Sequence, residues 1–513
     1  MHSPSPLPLI RSLYETCCSA RRTFQVETLK LWVSWDIGGK KTPALECGPH
    51  QLCGARKRQA IGTSSGNPHL PADGCLNPNE KEIPQLYTPL RIAPISPRVR
   101  ATRSAAMALT PTAFIPRQIR IIVIGAGISG IQFLKDATTQ LQNISIALYD
   151  KNDQEGGTWT ENRYPGCACD IPSHAYQYSW NPNPQWTRLY AEAPEILRYI
   201  NSTVTQFELR QYMNFNTQCI AATWDEGASE WIVTLETKGD PNQKTIVKCD
   251  IFVSATGRLN NWKLPDIKGI DGFSGSILHT ANWSEDFQYA GKDVAIIGNG
   301  ASAVQCLAAM GKDAKSIGNF VRGPTWLVPH VFSKNGEPQV IYDEELSHKF
   351  QDDPVAYYDF RLQIERQLAG SFEGLWAHSD AAKRFTSSAA NHMLNKIVDS
   401  TTLGALMPTA YKAGCRRFTP ADRYMDALNQ SHVQLIPQPI ERIDSSMIYT
   451  SDGKSRRYDA IICGTGFEPY APRFPVTGRG GILLSDVWSD EGGYQSYLAA
   501  TVAEFPNFFG KSE

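Results

Sequence analysis

"RQIRIIVIGAGISGIQFLKDATTQ", Arg117 to Gln140, is the stretch whose reading decides the fold. Arg120 to Ile124 is a short apolar run, as expected for a strand buried in a parallel sheet. A glycine turn follows at 125–130, then a helix from about Ile128 to Leu141, and "ISIALYD" is the next strand. The predicted unit is βαβ with G-x-G-x-x-G at the strand-to-helix turn. Gly125 permits the tight turn, Gly127 lets a pyrophosphate approach the backbone, and Gly130 lets helix and strand pack closely. Asp150 closes the second strand, where a carboxylate can accept hydrogen bonds from a ribose. A glycine loop alone is weak evidence. Here strand, helix and acid stand in register, which favours dinucleotide binding over a merely structural turn.

A second unit reads "KDVAIIGNGASAVQCLAAM", with Gly298, Gly300 and Ala303 as G-x-G-x-x-A. Ser302 lies inside the loop and is grouped with its binding residues. The next strand, "SIGNFVR", ends in Arg322, and no Asp or Glu occurs between Ala314 and Gly336. An arginine in place of the ribose-binding acid suits a 2′-phosphate and favours NADP over NAD; a plain surface arginine is the alternative. Two such units imply two cofactors, FAD on the first and NADPH on the second. The fold class expected is α/β, with two Rossmann-like dinucleotide-binding domains.

Outward from these loops the chain divides further. Residues 1–115 are rich in Pro, Ser and Gly and are expected to be a disordered extension; a true start nearer Met107 stays open. The first part of the FAD-binding domain is placed at 116–260, a connector at 261–290, and the NADP-binding domain at 291–430 with a helical insertion at about 340–412. Residues 431–513 are read as a return to the FAD domain.

The 513 residues carry 50 basic and 51 acidic side chains, a formal net charge of −1. That balance gives no sign of a nucleic-acid partner. No apolar run is long enough to span a membrane, and the first thirty residues hold no signal-peptide core. A cytoplasmic protein is the expectation, with no protein partner predicted. The twelve cysteines form no CxxC, and no His pair sits at zinc-ligand spacing. Cys167 and Cys169 are expected to be reduced, packed thiols, a metal or redox pair being the alternative. No metal is expected.

Between the glycine loops runs "FSGSILHTANWS", 273–284, which carries F-x-G-x-x-x-H-x-x-x-W in Phe273, Gly275, His279 and Trp283. With "GGTWTENRYPGCACD" at 156–170 and "GCRRFTP" at 414–420, this resembles the type I Baeyer–Villiger monooxygenases, nearest to fungal members of aflatoxin- and sterigmatocystin-type polyketide pathways. The resemblance runs from roughly 116 to 510. It implies insertion of one oxygen atom from O2 beside a ketone, giving an ester or lactone. A flavin-dependent N- or S-oxygenase is the alternative, although such proteins usually carry Tyr or Phe where Trp283 stands.

The resemblance also implies roles. Arg417 is the catalytic arginine, a fixed cation beside a developing negative oxygen, and Asp170 orients it. Arg416 stands where the family has a lysine for the 2′-phosphate. Gly157, Thr158, Trp159, Asp170 and Tyr176 match FAD contacts, and Cys219 matches a backbone contact to the adenine. Gly323 replaces a threonine. His279 ties connector movement to the cofactors, or is a hydrogen-bonded linker histidine with no chemical step. The family continues past Glu513, so a truncated, inactive flavoprotein-like product is a further alternative.

Overall fold

The structure, a computed structural model, describes residues 117–330, 332, 339–376, 378–416, 418–469, 472–488 and 493–510. The proposed extension 1–115 and Arg417 lie outside them. The described elements follow in order. They begin β1 (Ile119–Ile124), α1 (Ile128–Gln140), β2 (Ile144–Tyr149), α2 (Thr158–Glu161), α3 (Ala193–Gln206) and β3 (Met213–Asn214). Next come β4 (Thr217–Asp225), β5 (Glu230–Thr237), β6 (Asp240–Cys249), β7 (Ile251–Ser254), β8 (Ser276–His279), β9 (Asp293–Ile297), α4 (Ala301–Met310), β10 (Ser316–Phe320) and β11 (Leu327–Val328). Helices α5 (Glu344–Asp352), α6 (Pro354–Gly370), α7 (Asp380–Lys396) and α8 (Ser400–Leu406) lead to β12 (Thr419–Pro420) and α9 (Asp422–Leu428). Strands β13 (Val433–Ile436), β14 (Ile440–Asp444), β15 (Met447–Thr450), β16 (Ser455–Arg457), β17 (Ala460–Cys463) and β18 (Val476–Thr477), helix α10 (Leu484–Val487) and strand β19 (Phe508–Gly510) complete the described helices and strands.

Two five-stranded sheets carry the architecture, in the orders β19-β7-β1-β2-β3 and β13-β10-β9-β17-β8. Every pairing in both is parallel. Such strands bury both faces, because each face must be covered by another layer. On β1, Ile121 and Val123 face the core around α1, while Ile122 and Ile124 face a second core with the antiparallel strands β4 and β5. On β17, Ile462 turns to one core, and Ile461 and Cys463 to another. The period-2 alternation of a strand divides the apolar run between two cores. The chain is α/β with two Rossmann-like sheets.

In each sheet the strand order reverses at one place, between β1 and β7 and between β9 and β17. Ligands of open α/β sheets bind outside the carboxyl ends of strands at such a reversal.

Two boundaries differ from the sequence reading. Residues 431 onward do not return directly to the first sheet: β13 and β17 belong to the second, β18 joins β4 in a separate four-stranded sheet, and β19, on β7, rejoins the first. A run such as "AIIC" suits any buried parallel strand, so its sequence does not name its sheet. The connector also supplies β8, the edge strand of the second sheet, in register with β17.

Candidate functional site

At the first reversal the glycines separate into two kinds. Gly125 has φ +111°, and a Cβ there would stand 2.3 Å from the Ala255 carbonyl oxygen. A Cβ on Gly130 would stand 1.9 Å from the Gly125 oxygen. These two exist because backbones touch. Gly127 is different: the nearest atom to its Cβ position is the Gly157 Cα, at 3.6 Å. Gly157, at φ +54°, would bring a Cβ within 2.8 Å of the Gly127 Cα. The face of Gly127 is thus kept bare toward a cleft of about 830 Å³, lined among others by Gly125, Gly127, Asp150, Gly157, Thr158 and Cys219. Helix α1 begins there with no side chain capping it, so its first N–H groups are available to an anion.

Asp150 is buried beside this loop. Its Oδ2 accepts from the Ala126 N–H at 2.7 Å and its Oδ1 from the Asn152 N–H at 2.8 Å. Burial pushes its carboxyl upward, and the two backbone hydrogen bonds act against that. Each oxygen keeps a lone pair for a ribose hydroxyl. A bare glycine face, an uncapped helix start and a carboxylate fit the pyrophosphate and ribose of a dinucleotide. Trp159 and Tyr176 are not among the lining residues. They form an edge-to-face pair at 5.6 Å, with the indole donating to the Tyr176 hydroxyl at 3.2 Å. Lys151 and Arg473 also line the cleft, and Arg473 is held by the Asn260 carbonyl at 2.9 Å. The sequence reading missed Arg473 because it lies in "APRFPV", which carries no motif.

The second reversal repeats the device. Gly298, at φ +117°, would bring a Cβ within 2.4 Å of the Gly464 oxygen, whereas Gly300 faces open space. Helix α4 begins there uncapped. The third position is Ala303, and the missing glycine is found across the sheet: a Cβ on Gly464 would meet the Ala303 Cβ at 2.6 Å. Ser302 Oγ lies 3.0 Å from the Thr280 hydroxyl. Arg322 is exposed just beyond β10. Its turn is tied to the glycine loop, because Asn299 Nδ2 donates to the Gly323 carbonyl at 2.8 Å. The Arg416 guanidinium lies 4.9 Å over the Tyr411 ring, and the Tyr411 hydroxyl donates to the Pro324 carbonyl at 2.7 Å. Arg416 and Arg322 are thereby held to one turn.

The connector links the two. Phe273 is buried, and a Cβ on Gly275 would meet the Asp459 carbonyl oxygen at 2.3 Å. His279, 1% exposed, ends β8. Its ring stacks on Trp262 at 5.1 Å, and Phe467 approaches edge-on at 6.1 Å. Its Nδ1 accepts from the Ala281 N–H at 3.1 Å, so the ring is neutral there, and Nε2 is buried without a well-aligned partner. Burial pushes its pKa down to about 4. Ala281 and Phe467 both line the first cleft. Trp283 packs edge-to-face on Phe287 at 5.6 Å. Trp262 and Phe467 were not visible as partners of His279, since only the folded sheet brings them together.

Asp170 does not line the first cleft. It borders a separate cavity of about 850 Å³ with Tyr190, Gln305, His330, Thr419 and Asp422. Cys167 and Cys169 are buried thiols outside any disulfide, and burial pushes Cys167 up to about 12. Among the described residues no His, Cys, Asp and Glu cluster could hold a metal ion, and no helix is long and apolar enough to cross a membrane.

Residues 118–373 match the flavin-binding monooxygenase-like family. A Baeyer-Villiger monooxygenase of Pseudomonas aeruginosa is 31% identical over 417 residues, which cover 81% of this chain and 76% of that protein. The chain belongs to the flavin-binding monooxygenase-like family. Its fungal relatives include the FAD-binding monooxygenase moxY of Dothistroma septosporum, 37% identical over 76% of this chain and 63% of that protein. The chain thus spans under two thirds of that relative's length. The FAD-binding monooxygenase tazF of Aspergillus terreus is 34% identical over 77% of this chain and 71% of its own. Among solved structures, cyclohexanone monooxygenase from Rhodococcus sp. Phi1 bound to NADP+ superposes with a TM-score of 0.66 at 27% identity, covering 77% of this chain and 79% of that one.

Proposed function

We propose that the chain is an FAD- and NADPH-dependent monooxygenase that inserts one oxygen atom of O2 beside a ketone, giving an ester. The observation that carries the reading is the connector. It is built into the second sheet as β8, and its Ala281 lines the cleft of the first. One segment therefore touches both dinucleotide cradles, as a reaction that passes reducing equivalents from one to the other requires.

In this reading Gly127, Gly157 and the start of α1 hold the FAD pyrophosphate, and Asp150 holds the ribose. Thr158 and Cys219 border the flavin nucleotide, and Trp159 with Tyr176 braces that loop. Gly300 and the start of α4 hold the NADPH pyrophosphate, and Arg322 with Arg416 holds the 2′-phosphate. The bound flavin supplies the reaction with O2. Arg417 supplies a permanent positive charge beside the oxygen that becomes negative, and Asp170 orients it. The substrate class proposed, an aromatic polyketide ketone, rests on the likeness to fungal members, and the cytoplasm is the proposed location.

The test is NADPH against NADH with purified protein, FAD and a panel of ketones. NADPH should be strongly preferred and esters should form. Arg322→Ala should narrow the preference by about 1–3 kcal/mol, the worth of a charge-assisted contact. Equal use of both cofactors by the unaltered protein would overturn the assignment of the second cradle.

A further inference from the structure

The cavity bordered by Asp170 has a second polar wall. Strands β11 and β12 pair in parallel, Leu327 with Thr419 and Val328 with Pro420. Two residues beyond the pair on each strand stand His330 and Asp422, side by side. His330 Nδ1 lies 3.1 Å from Asp422 Oδ2. On the other side His392 Nε2, from α7, lies 3.1 Å from Oδ1, close but outside good hydrogen-bond alignment. Asp422 is 4% exposed. His330 borders the Asp170 cavity, whereas His392 borders an open groove on α7 beside Lys383 and Arg384. A buried carboxylate therefore separates an imidazole facing the cavity from one facing solvent.

The charged and titratable neighbours are few. Lys396 acts on both Asp422 and His392, and Asp426 on His392. The Tyr190 ring lies 4.9 Å from His330, and its hydroxyl accepts from the Phe332 N–H at 3.4 Å. Burial pushes Asp422 upward, but the His330 hydrogen bond and the charges of His392, His330 and Lys396 outweigh it, so its carboxyl sits below its ordinary range. An ionised carboxylate only accepts. His330 must then carry its hydrogen on Nδ1, which leaves Nε2 as the exchangeable nitrogen.

We propose that His330 is the proton-exchanging group of the Asp170 cavity, with Asp422 as the positioning residue that fixes its tautomer and His392 as the residue that holds Asp422 and meets solvent. The inference rests on the monooxygenase reading. In that reading ketone, O2, NADPH and one proton give ester, NADP+ and water. The Nε2 proton of the His330 imidazolium passes to the oxygen atom that leaves as water. The ring is then the neutral Nδ1–H imidazole, its Nδ1–H still held by Asp422 Oδ2, and solvent returns a proton to Nε2 to restore the imidazolium.

The test has two arms on the full chain. In the first, nitrogen-15 NMR of the histidine rings, taken without cofactors, reads the His330 tautomer. It should be the Nδ1–H form in the unaltered protein and shift toward Nε2–H in Asp422→Asn. An Nε2–H tautomer in the unaltered protein would overturn the proposal whether or not any ester is made. In the second arm, His330→Gln should slow ester formation by about 100-fold, the usual worth of a positioned acid. His330→Ala should recover part of the rate with added imidazole. The rate at which NADPH reduces the flavin shows that each variant is folded and loaded. A His330→Gln variant that reduces flavin and forms ester at the unaltered rate would contradict the proposal and leave the monooxygenase reading standing. Absence of ester from the unaltered protein would contradict that reading instead, with the tautomer arm still deciding the role of Asp422.

Discussion

At the scale of single residues, the glycines divide by what a methyl group would strike, and that division is testable. Gly125→Ala would drive a Cβ into the Ala255 carbonyl at a positive φ and should prevent folding. Gly300→Ala meets nothing within 4 Å, so thermal stability should change little while the Km for NADPH rises at least tenfold. Unchanged NADPH affinity in Gly300→Ala would mean the second loop is only a turn. Gly464→Ala, whose Cβ would stand 2.6 Å from that of Ala303, should cost about 1–3 kcal/mol by overpacking, read from denaturant unfolding. The motif glycines were legible because a turn and a close approach leave a local trace. Gly464 was not legible as their partner, because its need for small size comes from a helix more than 150 residues earlier in the chain.

At the scale of elements, the helical insertion is held to the first half of the chain by a side chain with no motif of its own. His174, 1% exposed, lies among Tyr342, Phe350, Tyr357 and Phe360, with ring centroids 5.0–5.9 Å away. Its Nδ1 is 3.0 Å from the Tyr357 hydroxyl, which also accepts from Gln177 Nε2 at 3.1 Å and donates to the Asn183 carbonyl. Removing that hydroxyl strands the buried His174 Nδ1 and takes a partner from Gln177 and from the Asn183 carbonyl. Tyr357→Phe should therefore cost about 1–3 kcal/mol and make α6 an early site of limited proteolysis. Unchanged melting and cleavage would show that the aromatic rings alone dock the insertion. The insertion was legible from its helical spacing. Its contact with His174 was not, since Tyr357 lies 183 residues away. The same holds for "AIIC": its strand character is written in the run, its sheet is not.

At the scale of the whole molecule, two buried histidines set the response to acid. Burial pushes His279 down to about 4 and His174 to about 3, while an unfolded histidine titrates near about 6.5. Protonation thus favours the unfolded chain. The stability these groups contribute is complete above about pH 6.5 and is lost as pH falls toward the folded values, by up to about 1.4 kcal/mol per pH unit for each histidine. His279→Gln should flatten the fall between pH 6 and 4 relative to the unaltered protein, as read by unfolding free energy at each pH. Identical slopes would show that His279 is protonated in the fold. Across the molecule, two sheets and two cradles could be read from local patterns. The joining contacts could not: Trp262 on His279, and Asp422 between His330 and His392, exist only once distant strands pair. The central claim is that these parts insert oxygen beside a ketone, and mass spectrometry of products formed under 18O2 with FAD and NADPH tests it most directly. The account predicts an ester bearing one labelled oxygen, with the second label in water. An N-oxide or sulfoxide as the sole oxygenated product, or an ester without label, would contradict it.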